Sequence, residues 1–237
     1  MDIFVFEKKP KMKNSLIISI ILLIIGSTSC TSLHSLHSGV SPEEITDVVL
    51  IEPLSYISLI EKGNRAQHHD SLSDVSCELL TDVLRMISRP QITAFQFPED
   101  TLVYKEIEQD IQIMLMIAEH QQNVENIRSS QTLDSLILSS GKRYGMVAVS
   151  TGFTRGRGNY GKEVAKGVAV GVLTLGMYSQ APIKNRSDIY IGIIDARESR
   201  LVFYNRSQQP EQDPLDHLVL LNQLQDIFGV YFNPSNL

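Results

Sequence analysis

The residues whose types and spacing come nearest to doing chemistry are Gly156-Arg157-Gly158-Asn159-Tyr160-Gly161-Lys162-Glu163. They satisfy both G-x-G-x-x-G and G-x-x-x-x-G-K, between an expected strand and an expected helix. Glycines in such a turn let backbone N–H groups and a helix N-terminus approach a phosphate. Glu163, however, follows Lys162 where a phosphate loop needs a Ser or Thr hydroxyl for magnesium, and a carboxylate there repels phosphate. A dinucleotide site also needs an acid about 20 residues further on, and Asp188 comes late. Arg155, Gly156, Arg157, Gly158, Gly161 and Lys162 are therefore read as an Arg/Gly-rich loop that could meet a partner or a ligand. A nucleotide- or phosphate-binding enzyme stays only as the third of three functional readings.

The remaining chemistry-bearing residues do not gather. His34 and His37 lie in a polar N-terminal stretch, His68 and His69 precede Asp70, and His120 and His217 stand singly on expected helices. A zinc site needs three or four ligands with supporting partners, so solvated histidines and no metal are expected. There is no G-x-S-x-G elbow, no Cys/His frame and no closely spaced carboxylate pair, so no catalytic residue and no cofactor is assigned. Cys77 lies beside an apolar helix stripe and reads as a small core residue. A formal charge of −6 over 237 residues argues against a nucleic-acid partner, because phosphate binding needs concentrated Lys and Arg.

The chain's address is plainer than its chemistry. Lys8, Lys9, Lys11 and Lys13 precede an apolar run from Leu16 to Ile25, which is too short for a transmembrane helix of about 20 residues. Small residues then lead to Cys30, the pattern of a secretory signal over residues 1–29 with a true start at Met1 or Met12. Gly26-Ser27-Thr28-Ser29-Cys30 resembles the lipobox of bacterial lipoproteins, of the relaxed kind found in Bacteroidetes; Ser27 stands where an aliphatic residue is usual. That resemblance implies acylation of Cys30, with each buried methylene adding about 0.8 kcal/mol of membrane affinity. With only one other cysteine, Cys77, no disulfide framework is expected. Residues 30–45 read as a lipid-anchored tether, small and polar from Thr31 to Ser41. Bacteroidetes lipoproteins exported to the cell surface resemble one another in having acids just after the cysteine; here the first acid is Glu43, so that resemblance implies the periplasmic side of the outer membrane.

Residues 46–237 interleave strand and helix patterns without a dividing linker. Asp47–Ile51 reads as a central strand, Ser55–Ile60 as a second and Ile92–Phe97 as a third. Leu72–Ile87 is a one-sided helix with Val75 on its apolar stripe and Ser71 or Ser73 as cap. A longer helix carries Val103, Ile107, Ile111, Met114 and Ala118 inward and Glu106, Glu108, Asp110 and Glu119 on a solvated face. Leu133–Leu138 is a short helix stopping at Gly141, and Met146–Val149 a buried strand. Asp188–Asn205 is a hairpin turning at Ala196-Arg197-Glu198-Ser199. A last helix is expected from Asp213 as N-cap to about Gly229, with Leu220, Leu221, Leu224 and Phe228 buried. The fold class is α/β: a single domain with a mixed β-sheet flanked by helices.

Taken in order, the strand before Pro53, the following helix, GKRYGMVAVSTG, the hairpin IIDARESRLVFY and the final helix resemble one group of envelope lipoproteins. These share the fold of the TolB N-terminal domain and the curli-secretion lipoprotein CsgG. Asp195, Ala196, Arg197, Leu201, Val202 and Tyr204 carry the match, while Ser199 stands for the group's turn glycine and Phe203 for its Trp. The motifs are structural turns, so the resemblance implies fold and compartment more than activity. Val164–Tyr178, with Gly167, Gly171 and Gly176, is apolar and small. It is expected to be a helix packed on the sheet or a partner-facing patch, with a strand of a many-subunit membrane barrel as the alternative.

Three readings follow. The leading one is a non-enzymatic outer-membrane lipoprotein, held by lipid on Cys30, that binds another envelope protein as an accessory or assembly factor. The second is a subunit of a CsgG-like oligomeric secretion channel, which requires a homo-oligomer. The third is the phosphate-linked enzyme above.

Overall fold

The computed structural model describes residues 32–33, 35–98, 100–173 and 182–232. The expected signal, Cys30, His34 and Gly176 lie outside them. The nine strands are β1 (Ser32–Leu33), β2 (Leu36–His37), β3 (Asp47–Ile51), β4 (Leu54–Ile60), β5 (Gln67–His68), β6 (Gln91–Gln96), β7 (Tyr144–Arg155), β8 (Arg186–Asp195) and β9 (Arg200–Pro210). The helices are α1 (Asp70–Arg85), α2 (Thr101–His120), α3 (Gln131–Ser139), α4 (Asn159–Leu173) and α5 (His217–Phe232).

The strands form one mixed sheet ordered β1–β9–β8–β7–β3–β6, with β2 also on β9 and with β4 beside β7 and β5. β3 and β4 are successive parts of one line along β7: Val49 and Leu50 pair Gly145 and Met146, and Leu54 to Ile60 pair Val149 to Arg155. Glu52-Pro53 breaks that line because proline has no N–H to give the ladder. β3 runs parallel to both neighbours, whereas β7, β8 and β9 are antiparallel.

Alternation along these strands makes two cores. Val48, Leu50, Met146, Ala148, Ile189, Ile191 and Ile193 point to one face, where Leu80 and Val83 of α1 and Leu224, Ile227 and Phe228 of α5 cover them. Val49, Ile51, Val147 and Val149 point to the other, covered by Ile107, Ile111, Met114 and Leu115 of α2 and by Leu133 and Ile137 of α3. Each fully buried aliphatic contributes about 1.5–3 kcal/mol, so neither face can be left open. At the β8–β9 bulge Ile193 opposes Phe203 and Ile194 opposes Leu201, leaving Val202 as the extra residue. The shift sends Phe203 and Val202 to the α1/α5 core and Leu201 to the other.

Three buried polar side chains tie elements within these layers. Gln223 is fully buried; its amide donates to the carbonyls of Ser187 (3.0 Å) and Ser207 (3.2 Å) and accepts from the Ser187 hydroxyl at 2.7 Å. Asn205 Nδ2 donates to the Ile227 carbonyl at 2.7 Å, tying β9 to α5. Asp195, at 0% exposure, takes Arg143 Nε at 3.0 Å on both oxygens and Nη2 at 2.5 Å. The same carboxylate accepts the Arg197 N–H at 3.1 Å, so one ion pair fixes both the start of β7 and the β8–β9 turn.

Several boundaries depart from the sequence reading. α1 starts at Asp70 with His69 as N-cap, because the Ser73 hydroxyl instead takes the Ile57 N–H at 2.9 Å. Ser73 and Ser76, the latter bonded to Ser150 at 3.2 Å, occupy the buried face, and Val75 is left 45% exposed. β7 is far longer than the Met146–Val149 kernel, since pairing with β4 and β8 carries it to Arg155. α5 begins at His217, not after Asp213. Asp216 is the residue whose carboxylate accepts the Leu218 and Val219 N–H groups, while Asp213 caps only the preceding turn. α5 also runs through Gly229 to Phe232, where Tyr231 and Phe232 pack on Phe203 at 5.2 and 5.5 Å.

The stretch expected to be a plain tether contributes β1 and β2. Ser32 and Leu33 pair Gln208 and Ser207, and Leu36 and His37 pair Tyr204 and Phe203. Leu36 is buried, His37 stacks on Tyr231 at 5.0 Å, and the Tyr231 hydroxyl donates to the Val40 carbonyl. Removing residues 32–38 should lower stability by about 2 kcal/mol or more through the lost Leu36 contacts, seen as a drop of several degrees in Tm. An unchanged Tm would mean a plain tether. The hairpin turn offers a second check. Ser199 has φ +49°, in the left-handed region that favours glycine. Ser199→Gly should therefore raise stability by about 1 kcal/mol, read as a higher urea midpoint at unchanged m.

Candidate functional site

At the end of β7 the expected strand–turn–helix is present, but the turn is only Gly156–Gly158, with Gly158 at φ +78°. Gly161 and Lys162 lie inside the first turns of α4, not in a loop. Arg155 is spent internally: its guanidinium donates to the Ile183 carbonyl (2.8 Å), Asn159 Oδ1 (2.7 Å), the Gly63 carbonyl (3.4 Å) and Asn64 Oδ1 (3.1 Å). Asn159 Nδ2 donates to the carbonyls of Glu61 and Gly63 at 3.1 and 3.2 Å. The Glu163 carboxylate pairs with Lys166 at 2.7 Å. The junction thus works as a clamp that fastens the β4–β5 turn to α4, while Arg157 and Lys162 are left exposed.

Val164–Leu173 is helical, and within it Val168 is 59% and Val170 45% exposed. The strand alternative does not hold for residues up to Leu173. Gly167 and Gly171 lie within this helix, and Gly167 is only partly covered.

A second place was not foreseen. Between α2 and the sheet runs a groove of about 330 Å³ lined by Tyr56, Gln112, Met116, Glu119, Thr151 and Tyr190, with Leu115 and Val149 at its floor. Strand alternation brings Tyr56 of β4, Thr151 of β7 and Tyr190 of β8 to one face. The Tyr56 hydroxyl donates to Glu108 Oε1 at 2.5 Å and accepts from Gln112 Nε2 at 2.6 Å. Tyr204 donates to Glu119 Oε2 at 2.5 Å, and Arg206 pairs with the same carboxylate. The Tyr190 hydroxyl accepts from Gln208 Nε2 at 3.1 Å. Glu108 and Glu119 are therefore not part of a plain solvated face: each compensates a phenol that burial has taken from water.

Burial, then the bond to Glu108, pushes the Tyr56 phenol well above its ordinary value. Burial does the same for Tyr204, and Tyr104 is pushed to about 12 by burial and by the charges of Glu52 and Glu108. These hydroxyls stay protonated at neutral pH. Beyond the groove, α2 exposes Ile113 (44%), Met116 (59%) and Ile117 (41%), a contiguous apolar surface at helical spacing. The signal was in the sequence. Ile113, Leu115, Met116 and Ile117 do not fit the single stripe assigned to α2.

Cys77 is half-buried. Its thiol donates to the Pro53 carbonyl at 3.0 Å and is pushed to about 11 by burial, the state of a packed thiol and not of a nucleophile. The histidines scatter, but not all are merely solvated: His69 caps α1 and His37 stacks on Tyr231. Among the described residues no group of three or more His, Cys, Asp or Glu could hold a metal ion, and no helix is long and apolar enough to cross a membrane.

No family model and no curated protein matches the chain. Similar solved structures include the PelC dodecamer from Paraburkholderia phytofirmans, at 8% identity and TM-score 0.36, covering 84% of this chain and 95% of that one. The LpoB C-terminal domain from Salmonella enterica is 7% identical at TM-score 0.28, covering 73% and 87%. A DUF4136 family protein from Bacteroides thetaiotaomicron is 6% identical at TM-score 0.33, covering 86% and 98%. Likenesses this slight carry no argument about function.

The raised phenols predict an alkaline limit. A group whose folded pKa lies above its unfolded value, about 10 for tyrosine, leaves stability intact below that pH and removes it as pH rises further. Unfolding free energy should therefore fall steadily above pH 10, and Tyr56→Phe should make that fall shallower. Equal slopes for both proteins in urea titrations between pH 9 and 11 would contradict the assignment.

Proposed function

We propose that this protein is a non-enzymatic envelope lipoprotein, anchored through lipid on Cys30 at the periplasmic face of the outer membrane, which binds another envelope protein as an accessory or assembly factor. The observation that carries the reading is the surface made by the Tyr56–Tyr190 groove and the outer face of α2. Leu115 and Val149 give it an apolar lining, Tyr56 and Gln112 are held in place by bonds to each other and to Glu108, and Ile113, Met116 and Ile117 stand beside it in water. Apolar anchors ringed by satisfied polar groups are what a protein interface needs. The address comes from the lysine-flanked apolar run and the lipobox-like residues ending at Cys30, and the TolB/CsgG-like order of motifs supports the same compartment.

A photo-crosslinking residue at Met116, expressed in the native envelope, should trap one defined partner, and Ile113→Glu should abolish that product while leaving Tm and membrane fractionation unchanged. Crosslinking at the exposed Met86 serves as control. Equal products from Met116 and Met86, or a product indifferent to Ile113→Glu, would remove this surface from the proposal. A product of twice the chain mass, with a ring of many copies by native mass, would favour the channel subunit instead.

A further inference from the structure

The clamp at the end of β7 gathers charge as well as backbone. It holds the β4–β5 turn, α4 and residues 183–184 together through Arg155 and Asn159. On those segments Lys62, Arg65, Arg157, Lys162, Lys166 and Lys184 are all exposed. The carboxylates on those segments are Glu61 and Glu163, the latter already bonded to Lys166, and Glu211 from just past the end of β9 accepts the Lys184 N–H at 3.1 Å. Six cations against three carboxylates leave the patch positive on a chain whose formal charge is −6. Val168 and Ile183 (40%) stand exposed within it.

The register of the sheet bears on what could lie against this patch. Ser32 on β1 is opposite Gln208, which is opposite Asp188, which is opposite Thr151 on β7. Going back from Ser32, the chain leaves β1 in the direction in which β7 runs on to Arg155. Cys30 is only two residues earlier, a reach of about 7 Å. β1 and β7 are three strand spacings apart, about 14 Å. A lipid on Cys30 would hold the bilayer near β1, about three strand spacings from the β7 strand whose end carries the basic patch and α4.

We propose that α4 and the β4–β5 turn form a membrane-contact face: the lysines and arginines engage anionic phospholipid headgroups, and Val168 enters the boundary between headgroups and acyl chains. A basic helix with exposed apolar residues lies in that interface and does not span it. Lipid on Cys30 supplies the attachment, and the patch fixes which side of the domain faces the membrane. This rests on the lipoprotein reading.

The chain has no tryptophan, so one introduced there reports alone. Val168→Trp in the lipidated protein, reconstituted in vesicles of phosphatidylethanolamine with phosphatidylglycerol, should shift its emission to the blue and be quenched by brominated acyl chains. Met86→Trp, at the opposite end of the sheet, should show neither effect. Lys62→Glu with Lys162→Glu should remove the quenching without changing Tm. Unquenched Val168→Trp emission overturns the proposal, and equal quenching in pure phosphatidylcholine overturns its anionic-headgroup part. The mass of Cys30 in protein extracted from membranes tests the lipoprotein reading separately. A Cys30→Ala chain carrying Val168→Trp, added to the same vesicles, tests the patch without the anchor, and quenching there supports it even if Cys30 proves unmodified.

Discussion

Val48, Val49, Leu50 and Ile51 follow one another on β3 and are each at most 1% exposed. In an extended strand neighbours point to opposite faces, so an unbroken apolar run has no solvent side to offer. β7 and β8 repeat the condition. The sheet must be covered twice, and the chain supplies two pairs of helices to do it: α1 with α5, and α2 with α3. Element order, loop lengths and the β8–β9 bulge follow from placing four helices on a sheet that tolerates water on neither face of its centre.

Covering both faces forces polar groups inside, and their pairing gives the fold its particular register. Asp195 is buried because its strand end lies under the layers; Arg143 and the Arg197 N–H make that position tenable. An unpaired carboxylate there would cost several kcal/mol. Gln223 bridges β8, β9 and α5 in the same way. The phenols of Tyr56 and Tyr204 are answered by Glu108 and Glu119 from the helix above them. These pairs join elements far apart in sequence, so they select one packing among those that apolar burial alone would allow.

Beyond these pairs the domain presents two exposed apolar surfaces, the outer face of α2 beside its groove and the lysine-bearing side of α4. They differ in character: the first is apolar and aromatic with fixed donors, as a protein partner requires, and the second is basic and apolar, as a lipid interface requires. In the proposed arrangement the two contacts use different residues of one domain.

Periodicity alone was enough for the mixed α/β class, for β3, β4, β6 and the β8–β9 hairpin with its turn at Ala196–Ser199, and for the inward stripe of α2. Those features depend on spacing within one element, which a sequence displays directly. The capping of α1 by His69, the capping of α5 by Asp216 and the length of β7 were not legible from local pattern. A Ser73 hydroxyl can cap a helix or satisfy Ile57, and only the packed neighbour decides which. Ser32–His37 carries no pattern of its own; the open edge of β9 makes it strand. The groove and the clamp at Arg155 were out of reach for the same reason. Tyr56, Thr151 and Tyr190 meet only because β4, β7 and β8 lie side by side, and a local pattern does not encode adjacency between strands distant in sequence.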